Sequence, residues 1–174
     1  MTKKPLVAVA FASLALLGFG CSPTQMIADK LSEKAAEGII NSQLGGEGKV
    51  DLSNGTMNVK SKDGNVSYGE NVKLPADFPS DVPAYESMKI VMVTSKDKTA
   101  SYLGTSTDKS DTVSDWYLKT LQSKGWKKTS DQAIIGSLYY QFEKDTRTLT
   151  VAVGGDQEAD PIETTITLTV EPKS

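Results

Sequence analysis

Histidine is absent from this 174-residue chain. With it go the usual general base at neutral pH, the commonest transition-metal ligand and the ordinary pH switch. There is a single cysteine, Cys21, so an intramolecular disulfide and a thiolate metal site are both excluded. Gly-x-Ser-x-Gly, a phosphate-cradling glycine loop ending in Lys-Ser/Thr, and a dinucleotide fingerprint are also missing. Neither a cofactor nor a metal is expected, and the reading is of a protein that is not an enzyme. Positive charge is in the minority, 19 Lys and Arg against 22 Asp and Glu. The chain therefore lacks the basic face that nucleic acid requires. Sustained apolar sequence is scarce too: only "LVAVAFASLALLGF", Leu6 to Phe19, qualifies. It is shorter than the roughly 18 residues expected of a membrane-spanning helix.

That run explains where the cysteine stands. Lys3 and Lys4 precede it, and Gly20 and Cys21 follow it, the order of a signal peptide. Residues 1–21 resemble the signal peptide of bacterial lipoproteins, in which a small residue precedes the lipid-bearing cysteine. The leucine usual three residues before that cysteine is here Gly18, with Leu17 one place further out. The resemblance implies that residues 1–20 are removed and that Cys21 becomes the first residue. Its thiol then carries diacylglycerol, and its amine a further acyl chain in many bacteria. Two or more chains, at about 0.8 kcal/mol per buried methylene, anchor stably where one does not. The resemblance further implies a location outside the cytoplasm, at the outer membrane if the host has one, because Ser22 is not the aspartate that retains such proteins at the inner membrane.

The remaining chain, 38% apolar and 24% charged over the whole sequence, has the composition of a globular protein. Thr24 to Ser42 has helical spacing, with Ile27, Leu31, Ala35 and Ile39 four apart. Lys49 to Tyr68 reads as a small β-meander turning at Asn54-Gly55 and Asp63-Gly64. "LPADFPSDVPA", residues 74–84, has three prolines in eleven residues and reads as a linker or strap, with Phe78 and Val82 as its pegs. Strands follow at Met88–Thr94 and Ala100–Thr107, then a helix over Asp111–Lys124 capped by Ser110 or Asp111 and stopped by Gly125. Four more strands are expected at Trp126–Ser130, Ile135–Lys144, Arg147–Val153 and Ile162–Val170. The expected fold is α+β: an antiparallel sheet of about six strands, ββαββββ, with one helix packed on one face, preceded by an amphipathic helix and the small meander. The expected divisions are 1–20, 21–48, 49–73, 74–84 and 85–174. "LPADFPSDVP" and "VSDWYLKTLQSKGWK" resemble small bacterial lipoproteins of uncharacterised function, which lends no activity.

Three groups of residues invite a functional reading. Tyr117, Trp126 and Tyr140 are candidate ligand-contact aromatics between helix 111–124 and the sheet, although such spacing is also that of core residues. Asp156, Glu158 and Asp160 alternate as Ca²⁺ ligands do, but Pro161 stands where an EF-hand loop needs glycine. Asp108, Asp111 and Asp115 surround a helix start, where capping and the helix dipole favour carboxylates. The leading expectation is a lipid-anchored envelope protein that engages an envelope protein or polymer, with the membrane as partner through Cys21. The alternatives are a small-ligand-binding lipoprotein and a carboxylate-based glycan hydrolase.

Overall fold

The computed structural model describes residues 33–39, 41–42 and 48–173. Cys21, Ser22, the apolar N-terminal run and residues 24–32 of the expected first helix lie outside the described residues. A short helix, α1, is helical at residues 33–39 and 41–42. Then come β1 (Gly48–Ser53), β2 (Thr56–Ser61), β3 (Gly64–Gly69), β4 (Lys89–Lys96) and β5 (Thr99–Ser106). The helix α2 (Ser110–Ser123) leads into β6 (Lys127–Ile134), β7 (Ser137–Lys144), β8 (Arg147–Asp156) and β9 (Glu163–Pro172).

All nine strands form one antiparallel sheet in the order β1-β2-β3-β4-β5-β9-β8-β7-β6. This corrects the expected sheet of about six strands with a separate meander. The join is the pairing of β3 with β4, Val66 opposite Thr94 and Tyr68 opposite Met92. The chain returns to the meander's free edge because the proline-rich segment does not run away from the body. Turns fold it, with the Phe78 and Val82 amides donating to the carbonyls of Pro75 and Pro79 at 3.0 Å each. Val82 is buried in the main core, and Phe78 packs against it with its ring 5.4 Å from that of Tyr102.

The helical cover differs from expectation as well. α2 lies mainly against β8 and β6, burying Val113, Tyr117 and Leu121 over the inward residues Leu149, Val151, Ile166 and Leu168. The strap covers part of the same core through Leu74, Val82 and Ala84. α1 serves elsewhere, at the free edge of β1. The Asn41 side chain accepts from the Val50 amide at 2.6 Å and donates to the Val50 carbonyl at 3.1 Å, and Glu37 accepts from the Leu52 amide. A helix thus satisfies edge groups that would otherwise pair with another strand.

Both ends of α2 are fixed from outside its first and last turns. Neither Ser110 nor Asp111 caps the start, because Lys109 occupies the N-cap without a side-chain bond. The cap comes instead from the β8–β9 loop, where the Gln157 side-chain oxygen accepts from the Ser110 amide at 3.0 Å. At the other end Gly125 takes φ +87°. Its amide donates to the Gln122 carbonyl and that of Trp126 to the Leu121 carbonyl, both at 3.0 Å. This double bond pattern needs a left-handed residue, and it sets Trp126 directly beneath the helix end.

Candidate functional site

The end of α2 overhangs the β6–β7 hairpin and leaves a groove of about 530 Å³. Leu118 and Gln122, one helical turn apart, form the α2 wall, and Trp126 and Phe142 form the floor. Lys127 and Lys128, at the start of β6, make the outer rim. The groove exists because β6 extends the sheet beyond the helix. Lys128 and Asp131 of β6 lie opposite Phe142 and Tyr140 of β7, so cross-strand pairing brings polar side chains onto the face that is apolar one strand further in. Lys128 bonds Asp131, whereas among the described residues no carboxylate pairs with Lys127.

The floor is held rigidly from below. The Trp126 indole N–H donates to the Asp81 carbonyl at 3.0 Å, tying the floor to the strap. The Asp81 carboxylate in turn accepts two bonds from Arg147, at 3.0 and 2.6 Å, and one from Lys144 at 2.7 Å. The Arg147 guanidinium lies 5.0 Å from the centre of the Trp126 ring, within cation–π range. The Arg147 hydrogen bonds above all, and then Lys144, hold the Asp81 carboxyl down at about 2 against the opposing effect of burial. Strap, indole and two cations form one clamp.

Of the three aromatics singled out in the sequence, only Trp126 borders the groove. Tyr117 and Tyr140 are buried core residues. The Tyr117 hydroxyl accepts from the Tyr85 amide at 3.1 Å and lies 3.3 Å from the Tyr102 hydroxyl. Burial pushes Tyr117 up to about 12. It therefore secures α2 to the strap and to β5. Leu118 and Gln122 escaped the sequence reading because they flank the stripe Val113, Tyr117, Leu121 and do not belong to it. Their i, i+4 spacing beside a glycine-stopped helix end was the available signal.

Two of the acidic candidates, Asp156 and Asp108, make structural contacts. Asp156 accepts from the amides of Glu158 and Ala159 at 2.9 and 3.2 Å and so shapes its own loop. Asp108 accepts from the hydroxyls of Ser87 and Tyr85. Those bonds, Ser87 first, hold its carboxyl below the usual range, opposite to the direction a general acid needs. Among the described residues no group of three or more acidic or cysteine side chains converges as a metal site.

A family model described as START domain-like matches residues 87–161. The matched stretch contains α2 and every residue lining the groove. No curated protein and no solved structure matches the chain.

Proposed function

We propose that this chain is a non-enzymatic ligand-binding module of the bacterial cell envelope, held by lipid on Cys21, and that its groove takes a small amphipathic anion. The observation that carries the reading is the pairing of an apolar floor, Trp126 and Phe142, with a rim lysine, Lys127, that has no acidic partner among the described residues. The volume lies within the range usual for small-molecule sites. An apolar body would cover Leu118 and the floor, and an acidic head would meet Lys127. The START domain-like match over these residues supports ligand binding in general. The tether rests on the arrangement from Lys3 to Cys21, and a lipid-sized mass persisting on a Cys21→Ser chain would refute it. A second reading, an interaction module for an envelope protein or polymer, draws on Ile39 of α1, which is 62% exposed.

Bromododecanoate tests the groove, because its bromine quenches an indole that it touches. In a Trp116→Phe chain the remaining fluorescence belongs to Trp126. The expected result is saturable quenching that Leu118→Glu abolishes and Lys127→Glu weakens. Quenching that is absent, or unchanged by Leu118→Glu, refutes the site.

A further inference from the structure

The other end of the same hairpin has a feature that folding does not explain. Among the described residues, four other than glycine take left-handed backbone angles, and each opens a hairpin turn: Asn54 at φ +52°, Asp97 at +53°, Ile135 at +45° and Asp145 at +53°. Asn and Asp tolerate that region, whereas a β-branched residue there is a true outlier. Three turns follow the rule, and the fourth places isoleucine where the chain elsewhere uses Asn or Asp. Packing within this chain does not offset the strain, since Ile135 is 100% exposed. Strain of this kind marks sites that act on something outside.

The surroundings indicate what that is. Residues 132–142, "QAIIGSLYYQF", carry no charge in a chain that is 24% charged. Ile134 is 46% exposed and Tyr139 37%. Ile134 pairs with Ser137, so Ile134 and Tyr139 share the face turned away from the buried Tyr140. The tip projects: a side chain added at Gly136 would meet nothing within 4 Å. A convex, uncharged apolar point suits insertion and not enclosure of a small molecule. Tyr139 stands two residues behind Ser137, about 7 Å from the turn along the strand. That is the depth at which tyrosine sits in the headgroup region when apolar residues enter the acyl boundary by about 5–10 Å.

We propose that the Ile134–Ile135 turn inserts into the bilayer surface to which the chain is tethered, making the hairpin a second, reversible membrane contact. The choice of a bilayer rests on the lipid tether proposed above. Reach permits it. Residues 22–32 lie between Cys21 and the first described residue of α1, and fully extended they span at most about 40 Å. Nine strands spaced about 4.8 Å apart make a sheet of similar width, so a tether on the β1 side can set the β6–β7 tip on the membrane. Contact is apolar and independent of anionic lipid, as the excess of Asp and Glu requires.

The test uses the full chain with Cys21→Ser and Ile135→Cys, labelled with an environment-sensitive nitrobenzoxadiazole dye and mixed with phosphatidylcholine vesicles. A control carries the dye at Asp97→Cys, at another turn. Co-sedimentation with a blue shift at 135 and none at 97 is expected. Co-sedimentation without a shift at 135 leaves the membrane association standing and overturns the insertion. A shift at both positions, or one that grows with protein concentration without vesicles, also overturns it, the latter in favour of a second copy. Absence of both sedimentation and shift overturns the insertion alone, because Cys21→Ser has already removed the residue that would carry the lipid. With the dye moved to Ile134→Cys, Ile135→Asn should raise the thermal midpoint and abolish the shift. A shift that survives this replacement contradicts the role given to Ile135.

Discussion

Replacing Asp81 with Asn removes one charge from the clamp beneath the groove and leaves the shape of the side chain almost intact. Arg147 and Lys144 then face each other without their shared carboxylate. All three side chains are at least two-thirds buried, so solvent screens the loss only partly. The folded protein holds the Asp81 carboxyl at about 2 against an ordinary value of 3.8, and each unit of such a shift is worth about 1.4 kcal/mol. Asp81→Asn should therefore cost about 2 kcal/mol at neutral pH, or about 4–8 °C in thermal midpoint for a domain of this size. The pH dependence has a fixed sign. A carboxyl whose pKa is depressed by folding contributes stability above its unfolded value and loses it as pH falls through the folded one. The gap between wild type and variant should be full above pH 5, shrink from about pH 4 to about pH 2, and vanish below. Urea unfolding followed by tryptophan fluorescence measures it. A gap below about 0.5 kcal/mol at pH 7, the ordinary range of an exposed pair, refutes the clamp, as does a gap that persists unchanged at pH 2. Because the Asp81 carbonyl also holds the Trp126 indole, the variant should broaden the Trp126 emission before it unfolds.

Two further outcomes follow from the edges and the close contacts of the sheet. Glu37→Ala with Asn41→Ala frees the β1 edge, costing about 1 kcal/mol per lost bond, and should produce strand-paired dimers in sedimentation velocity; a monomer of unchanged stability contradicts the edge-covering role of α1. Gly104→Ala places a methyl 2.4 Å from the Lys89 carbonyl oxygen and from the end of Met88; Met88 can move aside but the backbone cannot, so a loss of about 1–3 kcal/mol is expected, and a neutral result in denaturant titration contradicts the tight β4–β5 contact.

Alternating apolar residues were enough to place β4, β5, β8 and β9, because one face of the sheet is buried there and the other is wet, whereas β6, expected at Trp126–Ser130, has no buried face and runs on to Ile134. They could not show that β3 pairs with β4. That contact depends on the path of residues 74–84, and three prolines describe an extended strap and an open linker equally well. The burial of Val82, the packing of Phe78 on Tyr102 and the bonds that Trp126, Arg147 and Lys144 make to Asp81 separate the two. The turn at Ile135 was hidden for a different reason. Isoleucine is a strand former, and "AIIGSLYY" reads as the start of a strand with a glycine in it. The cap of α2 was illegible because it comes from Gln157, 47 residues away. At the groove, Trp126 was legible in the sequence as a candidate ligand-contact aromatic. Tyr117 and Tyr140 drew attention by residue type, but the aromatic stripe of a helix is the part that faces the core. Leu118 and Gln122, beside that stripe, are the residues left free to meet a ligand.

Amide chemical-shift mapping reads the amphipathic groove between α2 and β6 residue by residue. A ¹⁵N-labelled chain beginning at Ser22 would be titrated with dodecanoate below its micelle concentration. Saturable shifts are expected at Leu118, Gln122, Gly125 to Lys128 and Phe142, with the remainder of the sheet unmoved. Absence of saturable shifts, or shifts gathered instead around Ser87 and Asp160, would contradict it.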